Sequence, residues 1–322
     1  MKHNAAIYLL SSRTRLLELC LKNLFDNWNC NYDYPVHVHY FNDIYSKSLI
    51  KKINKKISNK IYFHQIDYKV PSHIQEKELF YNRKEIDYVK KSFPKSRLGY
   101  LHGERFWLNI SSYGESGCLV KEMAQYKYLM RIDDDSNFHK KIDFDLFDKL
   151  QEYPVATAYM YNRVTTRVIE TRINLWNFYK KYLKKYNYIP KNKDLREAVL
   201  NDDESKMHSL YWTAGNCNLY NMEMFKNSPW EEYLQECNYE CGHYKYRWGD
   251  LETIGLFAYT HFDKAPYNFN LKEAGLYLDK FPSILSSYAP GVDSSLNVHN
   301  SFIINFFSIL KYSIKKMFLK NT

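Results

Sequence analysis

The sequence predicts an α/β protein, a sheet flanked by helices in one layered domain. Three observations lead there. The first 66 residues alternate strand, helix, strand, helix, strand. A later apolar run, "YLMRI" at 128–132, ends on three consecutive aspartates. The 322 residues contain no internal repeat and no low-complexity linker, so one domain with excursions fits better than two. We place that domain at 1–300, followed by a basic amphipathic segment at 301–322.

Each element follows from its own pattern. "AAIYLLSS" reads as a buried strand ending in small polar residues. "RTRLLELCLKNLFDNW" carries Leu16, Leu17, Leu19, Cys20, Leu24 and Phe25 at helical spacing. "YPVHVHYFND" alternates Val36, Val38 and Tyr40 with His37, His39 and Phe41, a second strand. "IYSKSLIKKINKKI" is an amphipathic helix and "IYFHQID" a third strand. Residues 71–110 read as mostly helical. "VATAYMYNRV" is a strand, and 170–210 a polar, Lys-rich helical stretch without a clear core stripe. "LYWTAGNCNLYNMEMF" returns to strand and turn. "RWGDLETIGLFAYTH" opens a helix with Asp250 as its cap. Ligands of such sheets sit beyond the carboxyl ends of the strands. That places Ser11, Arg13, Asn42 and Asp43 near a site.

Composition narrows the classes. Hydrophobic content is 45% and charged content 25%, which excludes a disordered chain. Net charge is +10, so anionic partners are favoured over cationic ones. No nucleic-acid-binding motif accompanies that charge, and we expect no nucleic-acid partner. Six cysteines in so long a chain make no disulfide framework, so free thiols are expected. No signal peptide and no apolar run of membrane-spanning length is seen. The expectation is a cytoplasmic protein or one peripheral to a membrane. The tail from Ser301, with Ile303, Phe306, Phe307 and Leu310 ahead of Lys315, Lys316 and Lys320, suits either an anionic membrane face or a docked helix.

Three constellations carry chemistry. In "RIDDDS", Asp133, Asp134 and Asp135 repel one another and call for a cation. Hard divalent ions take oxygen ligands and bridge to phosphates, so this strand end is a candidate metal–nucleotide site. An exposed acidic turn, or a helix cap at Asp135 or Ser136, is the plainer alternative. In "YRWGDLETIG", Trp248 packs, Gly249 permits a tight turn, and Asp250 presents a carboxylate beside an aromatic wall. In "YLHGERFW", a buried Arg105 would take a phosphate or pair internally with Glu104.

The order of these blocks resembles the fungal α-1,2-mannosyltransferase family. "NYDYPVHVHYFNDIYS", "GYLHGERFW", "YKYLMRIDDDSNFHKKIDFDLFDKL", "WTAGNCNLYNMEMFKNSPWEEYLQ" and "CGHYKYRWGDLETIGLFA" are each similar to a family block, in family order, over residues 5 to about 282. The last, with its R-W-G-D, is the most specific. The resemblance implies a GT-A fold with a mixed sheet, a GDP-mannose donor, Mn2+ or Mg2+, and a glycan or glycolipid acceptor. It implies metal ligation by Asp133 and Asp135, and Arg105 and Arg131 match arginines of the family blocks; with Asp134 and the strand-end residues Ser11, Arg13 and Asn42 they are expected around the donor. Asp250 falls near the acceptor. The family's candidate nucleophile, the Glu of S-N-F-E, falls on Asn218 in "GNCN". An amide cannot serve as that nucleophile. This leaves a front-face mechanism, or another carboxylate of which Asp250 and Glu252 are nearest by motif. The family's metal-binding histidine has no counterpart in "AGLYLDKFP", and His299 is the substitute. A catalytically inactive nucleotide-sugar- or carbohydrate-binding protein of the same fold is the alternative these two departures favour.

Overall fold

The computed structural model describes residues 3–41, 43–58, 60–67, 69–83, 98–109, 121–158, 160–161, 172–210, 212–213, 217–271 and 278–280. Asn42, His299 and the segment 301–322 lie outside these residues.

Strand β1 (Ala5–Leu10) is followed by helix α1 (Thr14–Leu24), which continues as one π-helical turn over Phe25–Asn29. Then come β2 (Val36–Phe41), α2 (Lys47–Lys56) and β3 (Ile61–Ile66). Helix α3 (Leu98–Asn109) precedes β4 (Tyr128–Ile132), β5 (Ser136–Phe138), β6 (Val155–Thr157) and β7 (Met160–Tyr161). Helices α4 (Leu175–Tyr186), α5 (Lys193–Leu200) and α6 (Glu204–Ser209) lead to β8 (Trp212–Thr213) and β9 (Cys217–Asn221). The described fold closes with α7 (Met222–Lys226), α8 (Trp230–Glu240), α9 (Gly242–Lys245), α10 (Asp250–His261), β10 (Tyr267–Asn268) and β11 (Leu278–Lys280).

Seven strands form one sheet in the order β10-β6-β9-β4-β1-β2-β3. β1 pairs in parallel with β2 and β4, and β2 with β3. β9 runs antiparallel between β4 and β6. The sheet is therefore mixed, with one reversed strand near its middle.

Alternation along the strands splits the core in two. Ala5, Ile7 and Leu9 of β1, Met130 and Ile132 of β4, and Cys217 and Leu219 of β9 join Leu16, Leu17, Cys20, Leu21 and Leu24 of α1 on one face. Ala6, Tyr8, Leu129 and Tyr220 face the other way, into α3, α4, α8 and α10. With both faces covered, the central strands need apolar residues at successive positions, which is why "AAIYLL" reads as a continuous run. The same period of two puts Arg131 and Asn218 on the α3–α10 face.

Four readings need correction. The stretch 71–110 holds only single 3-10 turns at Glu76–Glu78 and Phe80–Asn82 ahead of α3 in its described parts. Helix α4 does bury a stripe, of Leu175, Trp176, Phe178, Tyr179, Tyr182 and Leu183; four of these are aromatic and were masked by the lysines between them. Asp250 does not cap α10. Gly249 occupies that position, and Asp250 is the first helical residue. Asp135 and Ser136 cap no helix either, because Ser136 enters β5.

Candidate active site at the carboxyl end of β4

Arg131 organises the site. It is 6% exposed, opposite Tyr8 of β1 on one side and Asn218 of β9 on the other. Its guanidinium lies 3.9 Å above the centre of the Trp107 ring, from α3. One terminal nitrogen is bound to Asp250 Oδ2, and the other lies 3.6 Å from Asp133 Oδ1. One cation thus faces both the acidic end of β4 and the first turn of α10. The two motifs, 119 residues apart in sequence, share one site.

Burial sets the electrostatics. A charged group removed from water must be paired or must change its protonation state. Burial pushes the Asp250 carboxyl well above the usual carboxylate range, Arg131 pulls it back, and the neighbouring Glu104 and Glu252 carboxylates push it up further. Glu104 accepts the Asp250 backbone N–H at 3.1 Å, so α3 holds the start of α10 directly. Arg172 donates to Glu252 at 3.0 Å. Gly249 has a steric role, since a Cβ there would collide with Glu252 Oε2.

The three aspartates differ in their surroundings. Asp134 points inward: Ser11 Oγ donates to its Oδ2 at 2.7 Å, and Arg13 binds both its oxygens. Burial raises the Asp134 carboxyl, while Arg13 and Ser11 draw it down. Arg13 also lies 3.2 Å from Asp135 Oδ2. Asp133 is the most open of the three, with 20% of its side chain exposed against 4% and 11% for Asp134 and Asp135. Carboxylates of alternate residues suit a hard divalent cation by donor type. Among the described residues no third His, Cys, Asp or Glu completes a metal-binding group with Asp133 and Asp135.

Of the residues singled out from sequence, Ser11, Arg13, Arg131, Asp133, Asp134, Asp135, Asn218, Asp250 and Glu252 converge here. Arg105 does not join the ion-pair cluster. It is half-buried, rather than buried, with Nη1 3.4 Å from the Lys69 carbonyl and its guanidinium 6.0 Å from the Tyr244 ring. Its neighbour Glu104, read only as Arg105's ion-pair partner, is the one that reaches Asp250. Trp107 and Arg172 were missed altogether, as was Tyr45, whose hydroxyl lies 2.7 Å from Ser11 Oγ. A helical wheel over 98–109 groups Glu104 and Trp107 three apart, which is the signal that could have found them.

Asn218 is fully buried on the face of Arg131, opposite Thr157 of β6. Among the described residues neither polar atom of its amide makes a hydrogen bond of full geometry, while the Tyr220 hydroxyl lies close enough to interact with it. The cavity of about 790 Å³ lies elsewhere, around Tyr128, Asn221 and His261, at the amino end of β4.

Residues 1–277 match the family described as glycolipid 2-alpha-mannosyltransferase. The chain is 24% identical over 194 residues to the probable mannosyltransferase KTR4 of Saccharomyces cerevisiae, covering 57% of this chain and 41% of that protein. It is 23% identical over 267 residues to the O-glycoside alpha-1,2-mannosyltransferase omh1 of Schizosaccharomyces pombe, covering 79% and 65%. The chain thus spans less than two thirds of the length of either relative. Among solved structures it is similar to the mannosyltransferase Ktr4p of S. cerevisiae, with a TM-score of 0.64, 19% identity and coverage of 81% of this chain and 67% of that one. It is equally similar to core-mannan synthase A of Aspergillus fumigatus in its Mn/GDP form, with a TM-score of 0.65, 19% identity and coverage of 81% and 71%. The mixed seven-stranded sheet is that of the GT-A glycosyltransferases, and the chain belongs to the glycolipid 2-alpha-mannosyltransferase family.

Proposed function

We propose that this protein transfers a hexose, most simply mannose from GDP-mannose, to a hydroxyl of a glycan or glycoconjugate. One observation carries the reading: Asp133 and Asp250 flank a single guanidinium at the carboxyl end of β4. A donor diphosphate and an acceptor hydroxyl must meet within bonding distance, and this arrangement offers one carboxylate to each side. The Mn/GDP form of the Aspergillus protein supports the choice of donor and ion.

Asp133 and Asp135 would hold Mn2+ or Mg2+, which when bound offsets the charge that develops on the leaving diphosphate. Ser11 and Arg13 fix Asp134, and through it the turn that presents its two neighbours. Asp250 accepts the proton of the acceptor hydroxyl, and burial shifts its carboxyl upward, the direction that strengthens a carboxylate as a base. Arg131 keeps Asp250 aimed, Trp107 keeps Arg131 flat, and both exclude water from the carboxylate. Asn218 cannot form a glycosyl–enzyme bond, so transfer here needs no enzyme nucleophile at that position. Its amide stands beside Arg131 on β9, and we assign it the role of holding a sugar hydroxyl once the donor opens that side of the sheet.

GDP release from GDP-mannose, with and without Mn2+, tests this reading against UDP-sugars and against Asp133→Asn. Turnover should require the ion, prefer GDP-mannose, and fall at least about a hundredfold in the variant, while the melting temperature stays put. Nucleotide binding without turnover of any donor would establish the non-catalytic alternative.

A further inference from the structure

A cavity of about 470 Å³ runs along helix α4 between Phe178, Lys181, Lys184 and the facing Glu240 and Tyr246. Its charge is lopsided. Lys180 also lines it but is committed to Asp202. Lys181 and Lys184, three apart on one face of α4, form no ion pair among the described residues. Glu240 is the one acid in the lining and bridges neither of them. Both lysines are exposed, and two exposed ammonium groups bordering one hollow repel each other and favour an anion between them.

Two residues of its wall pack on the segment that leads into Asp250. Phe178 and Tyr246 both pack on Trp248, with ring centres 4.9 and 6.0 Å away. Trp248 is 2% exposed, its indole N–H donates to the Ile173 carbonyl at 2.7 Å, and Asp250 follows two residues later. Gly242 lets the indole lie against the backbone, since a Cβ there would collide with the ring. The basic cavity therefore stands at a fixed offset from Asp250. The Asp133–Asp135 cluster, which the donor diphosphate would occupy, adjoins Asp250 through Arg131 instead.

We propose that the α4 cavity binds an anionic group, a phosphate ester or a carboxylate, carried by the acceptor beyond the sugar whose hydroxyl faces Asp250. This rests on the transferase reading above and adds a substrate class to it: acidic glycans are preferred over neutral ones. Lysine suits this role as a compact point charge that tolerates either anion.

Three acceptors decide it: a neutral mannobioside, its phosphate monoester, and a counterpart with a terminal uronic acid. They are compared with the full chain, GDP-mannose and Mn2+, in the wild type and in Lys181→Gln/Lys184→Gln. The wild type should use at least one acidic acceptor about tenfold better in kcat/KM, and which one it is separates phosphate from carboxylate. Added salt should shrink the advantage. In the double variant it should fall below about twofold, with donor hydrolysis by water unchanged. Equal use of all three acceptors by the wild type, or a preference that survives the double variant, overturns the proposal. If no donor is turned over at all, it is the transferase reading that has failed. Calorimetric titration of the same acceptors then decides the anion site on its own: tighter binding of an acidic one to wild type than to the variant supports it, and equal binding overturns it.

Discussion

Arg131 carries three relationships at once, and its loss would show how far they depend on one another. Removing it takes from Asp250 the cation it is paired with and leaves it buried beside Glu104 and the Arg172-bound Glu252. Breaking a buried pair from one side costs about 3–5 kcal/mol, because the stranded charge keeps its desolvation penalty. Urea unfolding of Arg131→Leu should show a loss of that size, and Arg131→Leu/Asp250→Asn should lose clearly less than the two single losses added together. Additive losses would mean the pair is not coupled. Asn218 makes the opposite case. Its amide is fully buried with no partner of full geometry among the described residues, and a buried amide left so costs up to about 1–3 kcal/mol in the free protein. Leu has nearly the same shape. Asn218→Leu should raise stability by about 1–2 kcal/mol and lower sugar transfer; an unchanged rate would show that the amide touches no substrate. At this scale the sequence exposed the aspartates because three in a row are visible by themselves. It hid Glu104, whose importance comes from a helix that has to be seen packed beside α10.

The elements around the site are tied together by close approaches rather than by long interfaces. α9 and the start of α10 meet through Trp248 over Gly242, and α10 meets α3 through Glu104 and the Asp250 N–H. Gly242→Ala forces the indole off the backbone. Overpacking of this kind costs about 1–3 kcal/mol, and here it should lower the melting temperature while also slowing transfer, since Asp250 moves with Trp248. Element types were largely legible. β1, α1, β2, α2 and β3 fall where hydrophobic period puts them, and α10 begins at Asp250. Two features were not legible. Helix α4 buries Trp176, Tyr179 and Tyr182 among lysines, and an aromatic stripe with polar tips reads as polar. β9 is as buried as its neighbours, and nothing in its composition reports that it runs the other way.

The whole molecule carries an acid sensitivity in its histidines. Burial lowers His37, His102 and His261 to about 4 and His243 to about 3; His39 and His64 are lowered as well. His37 Nδ1 and His64 Nε2 are 2.9 Å apart, and His39 stacks on His64, so a proton on His37 or His39 is also repelled by its neighbours, while Glu122 partly offsets burial at His64. Between pH 4 and 6.5 the unfolded chain binds protons that the folded chain refuses, so stability must fall as pH drops through that window. Asp134, Glu232 and Asp250, raised by burial, act with the opposite sign but are fewer. Thermal melts from pH 7.5 to 4 should therefore decline steeply below about 6.5. A flat profile would mean that the histidines are already solvated.

The reversed strand has one further consequence. β9 offers Cys217 and Leu219 to one core and Asn218 and Tyr220 to the other, and it is clamped on both edges by β4 and β6. Losing a single residue between β8 and β9 would invert this parity if the strand slid to compensate. A thiol or an isobutyl group would then stand before Arg131, and the amide would be thrust among leucines on the far side. Lineages carrying this strand should tolerate swaps of its side chains far better than any change in the length of the segment that feeds it.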